Sequence, residues 1–154
     1  HMLQHAAAYE INHLGRILLE DCKEPLHFKY MPHAVFTEPE IASVGITEQK
    51  AKEKNIKYVT STTNWLASAK AMSTRLHYPV TKFLINPDNY EILGCHMIGP
   101  ESSTMMHQVL AVMHINNDVR HIKEMLYIHP ALSEALLPAA VAAVKEVEKY
   151  NKKS

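Results

Sequence analysis

Apolar residues recur at Ala7, Ile11, Leu14 and Leu18, spacings of three and four that put one stripe on a helix between Leu3 and Cys22, ended by Pro25. His33–Phe36 reads as a short strand, 37–42 with Pro39 as a turn, and Ser43–Ile46 as a second extended piece. Thr47 is placed to cap a polar helix running to about Lys54, because its hydroxyl can accept an early backbone N–H and Glu48 suits the positive helix start. Ile56–Thr63 alternates and is rich in β-branched residues, which predicts a strand; Trp65–His77 has no clear period. Val80–Ile85 and Ile92–Ile98 flank Asn86-Pro87-Asp88-Asn89, whose fixed φ and local side-chain bonding predict a β-hairpin. A helix is expected from Ser102 or Ser103 to Ile115, with Met106, Val109, Leu110 and Met113 inward, stopped by Asn116-Asn117-Asp118. A short helix over Val119–Leu126 and an Ala-rich one over Ser133–Tyr150 follow, the latter either starting at Pro138 or kinked there. The order suits an α+β domain with an antiparallel sheet covered by helices. Residues 151–154 read as a frayed tail.

Composition narrows the possibilities. The 154 residues carry 16 Lys+Arg against 16 Asp+Glu, a balance that argues against a nucleic-acid or membrane-surface partner. At 47% hydrophobic there is material for a core, yet no run approaches the ~18–20 apolar residues of a membrane span. None of the 4 Gly falls in a phosphate-cradling pattern, so this chain alone is not expected to bind a nucleotide cofactor. Cys22 and Cys95 form no C-x-x-C pair; two reduced thiols, one helical and one in a strand, fit a reducing cytoplasm. His1-Met2 resembles a cloning scar.

The 11 His raise the question of a metal. His107, His114 and His121 are seven apart, a spacing that returns to one helical face but rises ~10.5 Å, too far for two imidazoles to share one ion; no metal site is expected. His129 differs. It precedes Pro130, and Glu134 follows five residues later at a helix start, where its carboxylate could fix the imidazole's tautomer and make an oriented general base, or could simply cap the helix. Spacing leaves both open.

Three ordered segments carry a resemblance. Val35-Phe36-Thr37-Glu38-Pro39-Glu40-Ile41-Ala42-Ser43-Val44-Gly45, Glu91-Ile92-Leu93-Gly94-Cys95-His96-Met97-Ile98-Gly99-Pro100 and Ile128-His129-Pro130-Ala131-Leu132-Ser133-Glu134 resemble the C-terminal dimerisation domain of the pyridine nucleotide-disulfide reductases. The last is similar to that family's H-P-x-x-S-E signature. The resemblance implies a five-stranded antiparallel sheet with helices, and a homodimer in which His129 reaches the partner subunit's active site as acid/base on a dithiol/disulfide substrate, oriented by Glu134. It implies a His129–Pro130 bond that is often cis, with both residues beside the partner's flavin. Leu3, Gln4 and His5 resemble the start of the helix that follows a flavin-binding motif, so they are candidate cofactor contacts. FAD and NAD(P) would belong to a longer parent, with nothing bound by this fragment, which alone would be inactive. On this reading 3–32 is a helix and linker after a missing FAD domain, 33–150 is the dimerisation domain, and an interface could use Met105, Met113, Leu136 and Leu137, with the sequence leaving open which of them face a partner and which the core.

The chain departs from the family's usual Gly-Phe-Val-Lys strand start at Tyr78-Pro79-Val80-Thr81-Lys82-Phe83, and from its Ala and Gly preferences at Gln4 and Ile11. The resemblance favours a dihydrolipoamide dehydrogenase-like parent over a mycothione- or mercuric-reductase type. Mercuric reductases end in vicinal cysteines, whereas this chain ends Tyr150-Asn151-Lys152-Lys153-Ser154. A stand-alone interaction module, with the His129–Glu134 pair kept only as a helix cap, is the alternative outside catalysis.

Overall fold

A computed structural model describes residues 2–153; His1, half of the suspected cloning scar, and Ser154, the end of the expected tail, lie outside the described residues. Five antiparallel strands, β1 (His33–Val35), β2 (Ile41–Gly45), β3 (Val59–Asn64), β4 (Val80–Ile85) and β5 (Ile92–Ile98), form one sheet in the order β1-β2-β5-β4-β3. The hairpin expected around Asn86–Asn89 is the β4–β5 pair, closed by backbone bonds between Asn86 and both Tyr90 and Glu91.

Period-two alternation decides the sheet's faces. Ala42 and Val44 of β2, Cys95 and Met97 of β5, and Phe83 and Ile85 of β4 point to one side and are buried. Two helices cover them, α4 (Ser102–Ile115) and α6 (Leu136–Asn151), with α5 (Val119–Glu124) packed on α6. The buried stripe of α6 is Leu136, Ala139, Ala140, Ala143, Val144 and Val147, mostly small residues that let the helix lie close on β3 and β4. Pro138 is not the helix start: α6 begins two residues earlier, and Pro138 sits in the first turn, where its missing N–H would have had no intrahelical partner. The helix continues through Asn151, the first residue of the expected tail.

On the sheet's other face a polar row crosses the strands: Ser43, His96, Lys82 and Thr62 are successive cross-strand neighbours. α2 (Glu48–Glu53) covers part of it. Thr47 caps α2 by accepting the Lys50 N–H at 3.2 Å, and Glu48 pairs with Lys82. The sequence between Trp65 and His77 holds a one-turn helix, α3 (Ala69–Ser73), capped by Ser68 and too short to show a period.

One expectation is corrected and one open question is answered. Cys22 is not helical: α1 (Gln4–Glu20) ends at a left-handed Asp21 (φ 51°), which turns the chain so that the Cys22 N–H returns to the Arg16 carbonyl. Both thiols are free, Cys22 partly exposed and Cys95 buried. Of the four residues whose side the sequence left open, Met105, Met113 and Leu136 are core residues of this chain, and Leu137 is half-buried. It is α1 that lacks cover: Ala6 is its one buried residue, while Ile11, Leu14 and Leu18 are 67%, 52% and 71% exposed.

Candidate functional site

His129 lies in Met125–Ala131, a segment outside every helix and strand that bridges α5 to the 3-10 turn Leu132–Ala135. Its peptide bond to Pro130 is cis. The tight turn brings Glu134 back over the segment, so its carboxylate is held at both oxygens: Oε2 accepts the Ala131 N–H at 2.8 Å, and Oε1 lies 2.9 Å from His129 Nδ1. The Ala131 amide, and after it His129, hold the Glu134 carboxyl below the usual carboxylate range. An ionised acceptor at Nδ1 selects the tautomer with the proton on Nδ1 and leaves the Nε2 lone pair free. The His129 side chain is 68% exposed, whereas that of Glu134 is 19% exposed. The imidazole is therefore fixed on one edge and presented to the outside on the other.

The remaining candidates gather elsewhere. Leu3, Gln4 and His5 line one cavity of ≈ 410 Å³ with Pro32, Phe36 and Met106, and His129, Pro130 and Glu134 take no part in its lining. His5 Nε2 donates to the Pro32 carbonyl at 2.8 Å, tying α1 to the strand that follows. Leu3, at the start of α1, offers no side-chain cap, so the first-turn amides carry the helix's positive end without a side-chain acceptor from that residue. The cavity wall is mostly apolar and includes neither Lys nor Arg. A wall of this kind suits a flat, largely uncharged ring system better than a charged phosphate chain.

The three histidines spaced by seven do not converge. His107 and His114 each donate from Nδ1 to a carbonyl of their own helix, Ser103 at 2.9 Å and Leu110 at 3.0 Å, while His121 Nε2 accepts from Asn116 at 2.7 Å. Among the described residues no group of three or more His, Cys, Asp or Glu is placed to hold a metal ion. Nor is any helix among them long and apolar enough to cross a membrane.

One contact was invisible in the sequence. The Ser68 hydroxyl donates to the Ala131 carbonyl at 3.0 Å across 63 residues of chain, which puts α3 directly behind the His129 turn. No local spacing signals it.

Compared with known proteins, residues 31–140 match the family model described as the pyridine nucleotide-disulphide oxidoreductase dimerisation domain. The mitochondrial dihydrolipoyl dehydrogenase of Schizosaccharomyces pombe is 32% identical over 118 residues, covering 77% of this chain and 23% of that protein. The dihydrolipoyl dehydrogenase of Buchnera aphidicola is 30% identical over 138 residues, covering 88% and 28%. The chain thus spans about a quarter of the length of these curated relatives. Among solved structures, a copper(II) complex of a mutant of the HOCl-induced flavoprotein disulfide reductase RclA from Escherichia coli superposes with a TM-score of 0.83 at 22% identity, covering 90% of this chain and 32% of that one. That likeness is one of fold.

Proposed function

The chain belongs to the pyridine nucleotide-disulphide oxidoreductase family, as its dimerisation domain, and on that premise we propose that it serves a flavin-dependent, dihydrolipoyl dehydrogenase-like parent by pairing two subunits and lending His129 and Glu134 to the partner subunit's active site. The observation that carries this reading is the fixed, outward-facing imidazole: Glu134 occupies Nδ1 at 2.9 Å while the ring stays largely exposed. Glu134 also accepts the Ala131 N–H as a capping residue does, so it is the exposed free edge of the ring, rather than the pairing itself, that favours the acid/base role. The cavity holding Leu3, Gln4 and His5 is lined by none of the His129 group, as expected if one subunit contributes the two sets to two different active sites.

In the proposed chemistry His129 Nε2 accepts the proton of a substrate thiol, and Glu134 stabilises the imidazolium that forms. The thiolate, not the thiol of pKa ~8.5, attacks the enzyme's disulfide sulfur, so an oriented base raises the reactive fraction near neutral pH. In the reverse direction the imidazolium returns the proton to the departing thiolate. When bound in the parent, FAD with NAD(P) would supply the two-electron redox step; from this chain Leu3, Gln4 and His5 would hold the ring end of the flavin of their own subunit. The relatives' names support a dithiol of the dihydrolipoyl class as substrate, the dimerisation-domain family supports a homodimer, and a reducing, cytoplasmic setting, as part of the same proposal, would keep Cys22 and Cys95 as free thiols.

The test is His129→Ala in the full-length parent. Turnover should fall ~10²–10⁴-fold, the contribution of a positioned acid/base, with the flavin absorbance unchanged. Near-normal turnover in that variant would remove His129 from the mechanism.

A further inference from the structure

We propose that Ser68 is a positioning residue for the His129–Glu134 pair: its buried hydroxyl tethers the turn that carries the pair to the core, 63 residues away in sequence. The proposal rests on the functional reading above. The path is continuous and each link is a single hydrogen bond. Ser68 Oγ–H donates to the Ala131 carbonyl at 3.0 Å; the N–H of the same residue donates to Glu134 Oε2 at 2.8 Å; Glu134 Oε1 meets His129 Nδ1 at 2.9 Å. Ala131 is thus held at both of its backbone polar groups, and it is the residue that sets where the carboxylate sits.

The anchor is rigid at the other end. Ser68 is 0% exposed. Its amide donates to the Trp65 carbonyl at 2.9 Å, and the Trp65 indole N–H is bonded to Thr81 of β4 at 2.8 Å. The turn, by contrast, has little of its own to hold it: Ile128, His129 and Pro130 are all exposed, and no regular element includes them. Without an anchor, a segment like this samples many conformations, and a base that must meet a substrate within hydrogen-bond reach loses efficiency with each one. The hydroxyl also caps α3, since Oγ accepts the Ala71 N–H at 3.4 Å. That bond uses a lone pair and the tether uses the proton, so one hydroxyl makes both at once.

The primary readout is the tautomer of neutral His129, measured by imidazole ¹⁵N shifts in this 154-residue chain. Wild type should show the proton mainly on Nδ1. Ser68→Ala removes cap and tether together and should give mixed tautomers. Ser68→Gly loses both bonds too, but glycine is nearly as good an N-cap as serine, so it removes the tether with little harm to α3 and should do the same, whereas Ser68→Thr keeps the hydroxyl and should restore the Nδ1–H form. In the parent, Ser68→Gly should lower turnover about five- to tenfold at unchanged flavin content, the rate equivalent of one net hydrogen bond of ~1 kcal/mol. If folded Ser68→Ala and Ser68→Gly chains both keep Nδ1–H, or if only Ser68→Ala loses it, the tether is refuted and Ser68 is a cap. A shifted tautomer together with a fully active His129→Ala parent would leave the tether standing and overturn the functional reading instead.

Discussion

Trp65 offers a test of how polar contacts, rather than apolar burial, fix the part of the core behind the His129 turn. Its indole is 1% exposed, and Nε1–H donates to Thr81 Oγ1 at 2.8 Å; Thr81 is 0% exposed. Gly99 lies so close that a Cβ there would come within 2.7 Å of the ring, so the indole has no slack to find another acceptor. Thr81→Val keeps the side chain's shape and makes it more apolar, so a reckoning by burial alone expects equal or greater stability. The orphaned indole N–H argues the opposite, because an unsatisfied buried donor costs ~1–3 kcal/mol. At ~2–4 °C per kcal/mol for a domain of this size, the melting temperature should drop by about 4–8 °C for a central cost of ~2 kcal/mol. Thr81→Ser, which keeps the acceptor and deletes one methyl, should cost only ~1 kcal/mol. Calorimetry on the three chains ranks them wild type, Ser, Val. A double-mutant cycle sharpens the point: with Trp65→Phe already in place there is no donor to orphan, and adding Thr81→Val should cost almost nothing. A Val variant as stable as wild type would refute the reasoning, since it would show that the indole N–H does not depend on Thr81.

His96 should make stability depend on pH. Burial, first among its causes, holds its imidazole below the ordinary 6.5, with Lys82 and His33 adding to the effect and the Ile46 carbonyl and Glu48 opposing it. The unfolded chain therefore takes up this proton first as pH falls below ~6.5, so the contribution is complete above that pH and is lost on acidification. Urea midpoints at pH 7.5 and 5.5 should differ less in His96→Gln than in wild type, and an equal difference in the two chains would dismiss the effect. Gly94→Ala should fail to fold or melt far below wild type, because its Cβ would lie 2.2 Å from the Ile46 carbonyl oxygen, a backbone atom that cannot move aside; a circular-dichroism melt checks it. Burial pushes the Cys95 thiol well above its ordinary range, so Ellman's reagent should titrate Cys22 alone in the native chain and both thiols in denaturant.

What could be read from the sequence divides according to how far the deciding contact reaches. The α4 face with Met106, Val109 and Met113, the Thr47 cap and the Asn86–Asn89 hairpin are each settled within a few residues, and each stands where the pattern put it. Periodicity identifies a face but not what covers it. It placed Ile11, Leu14 and Leu18 on one stripe of α1 without revealing that the described residues leave that stripe bare, and it could not tell that Met105 and Leu136 are buried in this chain's own core. The site follows the same rule. His129 and Glu134 stand five apart, off any helical repeat, and meet only because a 3-10 turn folds one over the other, so spacing left both base and cap open, and it is the family resemblance that favours the base. Ser68 lay in the one stretch without a legible period, because α3 is five residues long and is held by its cap and by Ala131 rather than by an apolar repeat. A residue that acts through a bond 63 positions away leaves no local trace. The same physics makes it the informative one to change, since replacing it perturbs the orientation of His129 without touching the imidazole or its carboxylate.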